Sequence, residues 1–302
     1  MFFYSLSDYL KITYGEKLYK LSLSGSKTCP NRDGTIGTGG CIFCSEGGSG
    51  DFASPGNLPI DQQITMAKER LKGKKHSDHY IAYFQSYTGT YGNIDKLFTL
   101  YTEAIKRPDI KILSIGTRPD CINEEVIKKL DELNRIKPVW IELGLQTSNE
   151  ETAKLIRRGY RNETYEKAVK ALNSINVKVI THVIIGLPGE TEADIKETVK
   201  YAVKSGSWGL KLQLLHVLEN TDLAEMYKRQ EFRTLEKDEY INIICNLLPV
   251  IPKDIVIHRL TGDGPKNILI SPKWSGNKRD VMNSMRHEMA IRHIEQGSDL
   301  EV

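Results

Sequence analysis

The chain has 302 residues, 42 of them Lys or Arg and 39 Asp or Glu, for a formal charge of +3. Hydrophobic content of 39% and charged content of 27% make a large core feasible, and the net charge is too small to prove a polyanion partner. Five cysteines, an odd number with three clustered, argue against a secreted disulfide framework.

The N-terminus, Met1 to Asp8, lacks a basic start and its apolar run ends at once, so no signal peptide is expected. No apolar stretch approaches the roughly 20 residues that a membrane helix needs. A cytoplasmic location, where thiols stay reduced, is the expectation.

Lys17–Leu23 alternates apolar and polar residues as a strand does, and a loop rich in Gly, Ser and Thr runs on to about Pro59. A polar helix is predicted over 60–72 and an apolar strand over Tyr80–Phe84. Leu97, Leu100, Tyr101, Ala104 and Ile105 mark one face of a helix. Ile110–Ile115 reads as a strand, Glu124–Leu133 as a helix and Val139–Leu145 as a strand. Helices split near Gly159 cover 149–175. Strand Val177–Ile185 ends at Gly186-Leu187-Pro188-Gly189, and Thr191 with Asp194 forms a capping box for helix 192–204. Leu210–Val217 is a sixth strand. Beyond it come helix 236–248, strand Ile255–Leu260 and the loop Thr261-Gly262-Asp263-Gly264.

Strands separated by helices pair in parallel with right-handed crossovers, and five or six such units in a row predict a barrel, whole or partial. Function in a parallel barrel gathers at the C-terminal strand ends. Those ends offer the cysteine loop, Gln85 to Thr88, Gly116 to Asp120, Glu142 to Gln146, Ile184 to Pro188 and His216 to Asn220.

Cys29, Cys41 and Cys44 stand in the first of these. Three thiolates satisfy three irons of a four-iron cluster, or three positions of a zinc, and leave one position open. Cys121 and Cys245 read as small apolar residues. His76 and His79 lie close together in a polar stretch, and either is an alternative fourth zinc ligand.

The wording around the thiols resembles the radical S-adenosylmethionine (SAM) superfamily. Cys29-Pro30-Asn31-Arg32-Asp33-Gly34 and Gly39-Gly40-Cys41-Ile42-Phe43-Cys44 carry the resemblance. Gly116-Thr117-Arg118-Pro119-Asp120, Glu142 to Thr147, Arg158-Gly159-Tyr160 and His182 to Glu190 extend it over roughly 10–280. The superfamily usually spaces its first two cysteines by three residues. The eleven residues here are similar to the YtqA/YhcC-type branch, near the Elongator catalytic subunit.

The resemblance implies an α/β fold, a partial (β/α)6 TIM-like barrel over residues 1–220 with the cluster loop at 24–59. Residues 221–302 then form a small C-terminal α/β extension covering the mouth. It implies a [4Fe-4S] cluster held by Cys29, Cys41 and Cys44, with SAM chelating the fourth iron. An external one-electron donor drives SAM cleavage to a radical that abstracts hydrogen from an unreactive C–H bond.

For SAM it implies Phe43 near the adenine and Gln85, Ser86 and Thr88 at the methionine amino group. Glu142 and Gln146 are then placed at the ribose, Arg158 at the carboxylate, and Ile184 and Gly186 beside the adenine. Gln85 to Thr88 replaces the superfamily's common Gly-Gly-Glu. Arg118 is a candidate substrate contact.

Two stretches are locally basic, Lys154 to Arg161 and Lys266 to Arg279. The second holds Lys273, Trp274, Lys278 and Arg279, cations for phosphates and an aromatic for stacking a base. The branch implies tRNA as partner and a wobble uridine whose C5 side chain goes from carboxymethylaminomethyl to aminomethyl. A radical SAM enzyme on a small molecule or protein, and a non-enzymatic zinc or iron–sulfur module binding nucleic acid, are the alternatives.

Overall fold

The computed structural model describes residues 2–48, 50–73, 77–262 and 264–300. His76 and Asp263 therefore lie outside the described residues. Helix α1 (Leu6–Tyr14) precedes strand β1 (Tyr19–Leu23), and the long cysteine loop leads to α2 (Ile60–Glu69). Then come β2 (Tyr80–Phe84), α3 (Ile94–Lys106), β3 (Ile110–Thr117), α4 (Glu124–Asn134) and β4 (Val139–Gln146). Two helices follow, α5 (Glu150–Leu155) and α6 (Asn162–Ser174), split where Gly159 takes φ +84°. The repeat continues with β5 (Lys178–Ile185), α7 (Glu192–Lys204) and β6 (Gly209–Leu214).

The C-terminal third holds β7 (Val217–Leu218), α8 (Asp222–Lys228), α9 (Lys237–Leu247), β8 (Val256–Arg259), β9 (Leu269–Ser271) and α10 (Lys278–Ile291). The main sheet is parallel throughout and runs β1-β2-β3-β4-β5-β6-β8. Its seventh strand corrects the expectation that residues after 220 lie outside the strand–helix units. Strand β8 joins β6 through Gly209 and Leu210, opposite Val256 and Ile257. The sixth strand also ends earlier than its apolar run. Leu215 and His216 leave the sheet, and Val217–Leu218 pairs antiparallel with β9.

Strands covered on both faces should read as apolar runs. All five residues of β2 and the first seven of β4 are buried. Outward residues such as Ile141, Leu143 and Leu145 meet the helices, including the Leu97, Tyr101, Ala104 and Ile105 face of α3. The predicted capping box of Thr191 and Asp194 is formed at α7.

Inward residues low in the barrel close its floor. Leu10, Leu18, Ile81, Ile112, Trp140 and Ile180 cluster there, with Tyr9 and Trp208 against them. The ring of Trp208 lies 4.8 Å from that of Tyr9 and 5.2 Å from that of Trp140. Both sheet edges are covered. The Ile257 N–H donates to the Tyr4 carbonyl at 2.8 Å, and Ser54 N–H donates to the Ser22 carbonyl at 3.0 Å. Among the described residues no helix is long and apolar enough to cross a membrane.

Candidate active site

Polar side chains replace apolar ones as the inward positions climb toward the C-terminal strand ends. On β4 the succession is Trp140, Glu142, Gly144 and Gln146, and on β6 it is Lys211 and then Gln213. A Cβ at Gly144 would run into the Gln146 side chain, so glycine there keeps space open. Gln146 itself takes φ +63°, beyond the register shift between β4 and β5, and accepts from the Tyr160 hydroxyl at 3.0 Å.

The cysteine loop sits over this opening. Its eleven-residue insert folds back on itself, with Gly40 N–H donating to the Asn31 carbonyl at 2.7 Å. The Asn31 amide donates to the Arg157 carbonyl at 2.5 Å and reaches Cys41 Sγ at 3.6 Å. The Arg32 guanidinium donates to the carbonyls of Cys44 and Ser45 at 3.1 and 2.6 Å. A thiol–thiol hydrogen bond from Cys44 pushes Cys41 down to about 7, helped by Arg118, Asn31 and Arg32. The same bond, with burial, pushes Cys44 well up.

Cys29, Cys41 and Cys44 line one cavity of about 170 Å³, with Thr88, Gly116, Arg118, Glu142 and Tyr160 among its walls. A larger outer cavity of about 940 Å³ reaches from Lys20 and Ser22 to Lys266 and Lys278. Phe43, Cys44, Tyr83, Gln85, Gln213 and Arg259 belong to both. No three His, Cys, Asp or Glu side chains among the described residues group closely enough to hold a single ion. Three soft donors around one cavity, with Arg32 and Arg118 beside them, fit the chemistry of an iron–sulfur cluster.

Beneath the thiols lies a charge network that the sequence reading missed. Glu142, buried, accepts from Lys20 at 2.5 Å, from His182 Nε2 at 2.9 Å, from Ser114 at 3.0 Å and from Lys211. The Lys211 ammonium also donates to the Tyr83 hydroxyl at 3.0 Å. Burial pushes the Lys211 ammonium well below its ordinary value, with Glu142 opposing. Burial and the Lys211 charge push His182 down to about 4, so its imidazole is neutral near pH 7. Glu142 is held well below the carboxylate range by Lys20 and Lys211 against a strong opposing burial effect. The signal was present in the sequence: the alternation Gly-Leu-Lys-Leu-Gln-Leu puts two polar side chains on the inward face of a buried strand.

The expected SAM contacts divide. Phe43 and Gln85 line both cavities, Thr88 and Gln146 the inner one, and Ile184 the outer one. Ser86 does not reach a wall; it is buried against Ser24 at 2.9 Å. Gly186 turns the chain at φ +92° and backs onto Leu235. Glu142 is tied into ion pairs rather than held open for hydroxyls. The buried Arg158 guanidinium is committed to protein. It donates to the carbonyls of Leu145, Thr147 and Tyr160 at 3.1, 2.6 and 2.9 Å and to Asn162 at 3.0 Å. Arg118, on the inner wall, makes a two-pronged pair with Asp120 at 2.9 and 2.7 Å over the Tyr160 ring.

The basic stretches divide too. Lys154 pairs with Glu151, and Arg157 with Asp222, so the first stretch is largely neutralised. In the second, Lys266 and Lys278 line the outer cavity, whereas Lys273 donates to the Leu269 carbonyl and Arg279 is exposed away from the walls. Trp274 is turned inward. Its indole N–H donates to the Leu235 carbonyl at 3.0 Å and its ring packs 5.7 Å from Tyr240, which removes it as a base-stacking face. His79 pairs with Glu16 at 2.5 Å and is not a wall of either cavity. The outer roof is pinned by His216, which meets Ser275 at 3.2 Å, leaves no room for a side chain at Gly262 and packs tightly against Gly264.

The family pattern described as the radical SAM superfamily matches residues 28–202, and that of the Radical_SAM C-terminal domain matches 207–290. The chain belongs to the radical SAM superfamily. It is 38% identical to the uncharacterized protein YtqA of Bacillus subtilis over 98% of this chain and 92% of that one. It is 27% identical to the tRNA uridine(34) acetyltransferase of Methanocaldococcus infernus, over 60% of this chain and 34% of the relative. The solved Elp3 of Methanocaldococcus infernus with an N-terminal deletion superposes with a TM-score of 0.67 at 20% identity, covering 91% of this chain and 65% of that one. That likeness shows the fold, a curled parallel sheet open on one side. As a radical SAM protein the chain is an enzyme that uses a [4Fe-4S] cluster and SAM.

Proposed function

We propose that this radical SAM enzyme modifies tRNA, converting the C5 side chain of the wobble uridine from carboxymethylaminomethyl to aminomethyl. Cys29, Cys41 and Cys44 hold the cluster in this reading, and an external one-electron donor in the cytoplasm reduces it. The loaded cofactors would supply hydrogen abstraction from the methylene of the carboxymethyl group; that carbon then gives one electron to a one-electron acceptor, and water adds to the resulting imine, breaking the C–N bond to release glyoxylate and leave the amine.

The chain's own residues do the rest. Asn31 and Arg32 fold the long insert so that three thiols meet one cavity. Arg118 and Arg32 add positive charge that favours thiolates. Phe43, Gln85, Thr88, Gln146 and Ile184 form the SAM contacts, and Arg118, held by Asp120, lends its positive charge to the inner wall. From the C-terminal third, Gly262, Gly264 to Asn267 and Ser275 to Lys278 roof the outer cavity, with Lys266 and Lys278 at its walls to meet phosphates.

The observation that carries the tRNA reading is the shared sequence with a relative named for uridine 34 of tRNA. Deleting the gene should raise the mass of one wobble nucleoside, the unprocessed carboxymethylaminomethyl form accumulating in place of the aminomethyl form in digested tRNA. An unchanged nucleoside profile refutes this substrate and favours a small molecule or protein.

A further inference from the structure

Asn31 stands near the start of the eleven-residue insert that separates Cys29 from Cys41. It is 6% exposed, the one buried polar side chain between residues 30 and 40. The insert closes around it. The Asn31 carbonyl accepts from the Gly40 N–H at 2.7 Å, and the Ile36 N–H donates to the Pro30 carbonyl at 2.9 Å. From the other side Arg157, left-handed at φ +54°, turns its own carbonyl onto the Asn31 side-chain amide at 2.5 Å. A carbonyl at that distance accepts only from a donor, so Nδ2 faces Arg157 and Oδ1 faces away. Oδ1 is seated against Gly37, where a Cβ would lie 2.7 Å from it.

Nδ2 carries two hydrogens, and the Arg157 carbonyl takes one. The other has Cys41 Sγ within reach at 3.6 Å. As a thiol, Cys41 also donates to the Arg157 carbonyl at 3.6 Å. A ligating cysteine has lost that hydrogen, so its sulfur only accepts, and its charge draws the amide hydrogen more strongly. Reduction of an iron–sulfur cluster adds electron density that the ligand sulfurs share. A buried N–H donor to one of them therefore stabilises the reduced form over the oxidised one. We infer that Asn31 is a positioning residue for the electron-transfer step: its N–H···S bond to Cys41 raises the potential of the cluster, and the long insert serves to bury and aim this one amide. The inference rests on Cys41 as a cluster ligand and is independent of the tRNA reading.

The test is the redox behaviour of the reconstituted cluster without SAM, where no cleavage occurs. Asn31→Leu keeps the bulk of the side chain and removes both N–H groups. In a stepwise reduction with titanium(III) citrate followed by EPR, its reduced-to-oxidised ratio at a fixed potential should fall threefold to tenfold below wild type. The tenfold change is a midpoint about 59 mV more negative. A ratio within threefold of wild type, or a shift the other way, in a variant holding its full iron overturns the inference. A second reading is taken on the wild type, so it stands if the variant does not fold. Pulsed EPR of the reduced cluster should show a nitrogen coupling that changes isotope when the asparagine side-chain amides carry nitrogen-15; no change with the label overturns the inference. Cys41→Ala separates this inference from the ligand assignment beneath it. Cluster loss there beside an unchanged Asn31→Leu potential removes only the tuning role, whereas a retained cluster removes Cys41 as a ligand and the inference with it.

Discussion

Trp140 and Glu142 are two residues apart on β4, point into the same barrel and are 0% and 1% exposed. Trp140, on the floor, leaves its indole N–H without a hydrogen-bond partner and is held by rings: Tyr9, Trp208 and His258 lie within 6.0 Å. Glu142, one step toward the mouth, has four polar partners and two ion pairs to lysine. Burial is the same, and the environment is opposite. The floor is a packed stack that tolerates an unused donor, whereas the mouth is a polar network in which every charge is placed. Height along the strand assigns the role, as expected where chemistry belongs to the C-terminal end of a parallel barrel.

The contrast breaks most completely at the thiols. Cys41→Ala should leave the anaerobically reconstituted protein without cluster iron or its visible absorbance, whereas Cys245→Ala, in the core between α9 and its neighbours, should keep both. Equal cluster loss in the two would refute the assignment.

Next in size is Glu142→Ala, which strands Lys20 and Lys211 beside the neutral His182. Breaking such a buried arrangement costs about 3–5 kcal/mol, read as a fall in the midpoint of denaturant unfolding. A loss under 1 kcal/mol would mean that water already screens the network.

The pH dependence follows from His182. Its folded value of about 4 lies below the ordinary 6.5, so the unfolded chain binds the extra proton first. Stability is therefore full above pH 6.5 and falls as pH drops toward 4, by at most about 3 kcal/mol. Glu142, also lowered, acts in the same direction at lower pH. His182→Gln should flatten the upper part of this acid limb in unfolding measurements at pH 4.5 to 7; an unchanged slope would place the loss elsewhere.

The smallest effect belongs to the floor. Trp140→Phe removes a donor that has no partner and keeps an aromatic ring, so the change in unfolding free energy should stay within about 1 kcal/mol. A loss of several kcal/mol would show that the indole N–H has a partner after all.

Much of this contrast was open to reading in the sequence. Apolar runs at strand spacing and the amphipathic face of α3 gave the barrel, and the three thiols with their flanking wording gave the cluster loop. Strand Ile255–Leu260 was legible as a strand, but local pattern does not say which edge a strand joins, so its place beside β6 was not. Leu215 prolongs the apolar run of β6 although it packs against Ile42 and Ile184, while His216 turns to Ser275 under the roof, so the strand's end was not legible.

Lys20 and Lys211 belong to no motif in the chain; only the inward register of their strands gives them meaning. Trp274 erred the other way. Its basic neighbours fitted a nucleic-acid face, yet charge in the chain does not specify which way a ring turns. Arg158 matched a motif whose guanidinium proves to brace the turn after β4.

The covered edges of the sheet carry a consequence of their own. An open barrel ends in two strands whose outer N–H and C=O groups invite another chain to pair with them. Here residues 4–5 lie along β8, and Ser54 bonds to β1. Strand addition, the simplest route to aggregates or to partner capture by backbone pairing, therefore meets a competing bond at Ile257 on one flank and at Ser22 on the other. Shortening the chain by its first five residues would remove one of those guards and leave β8 a sticky border.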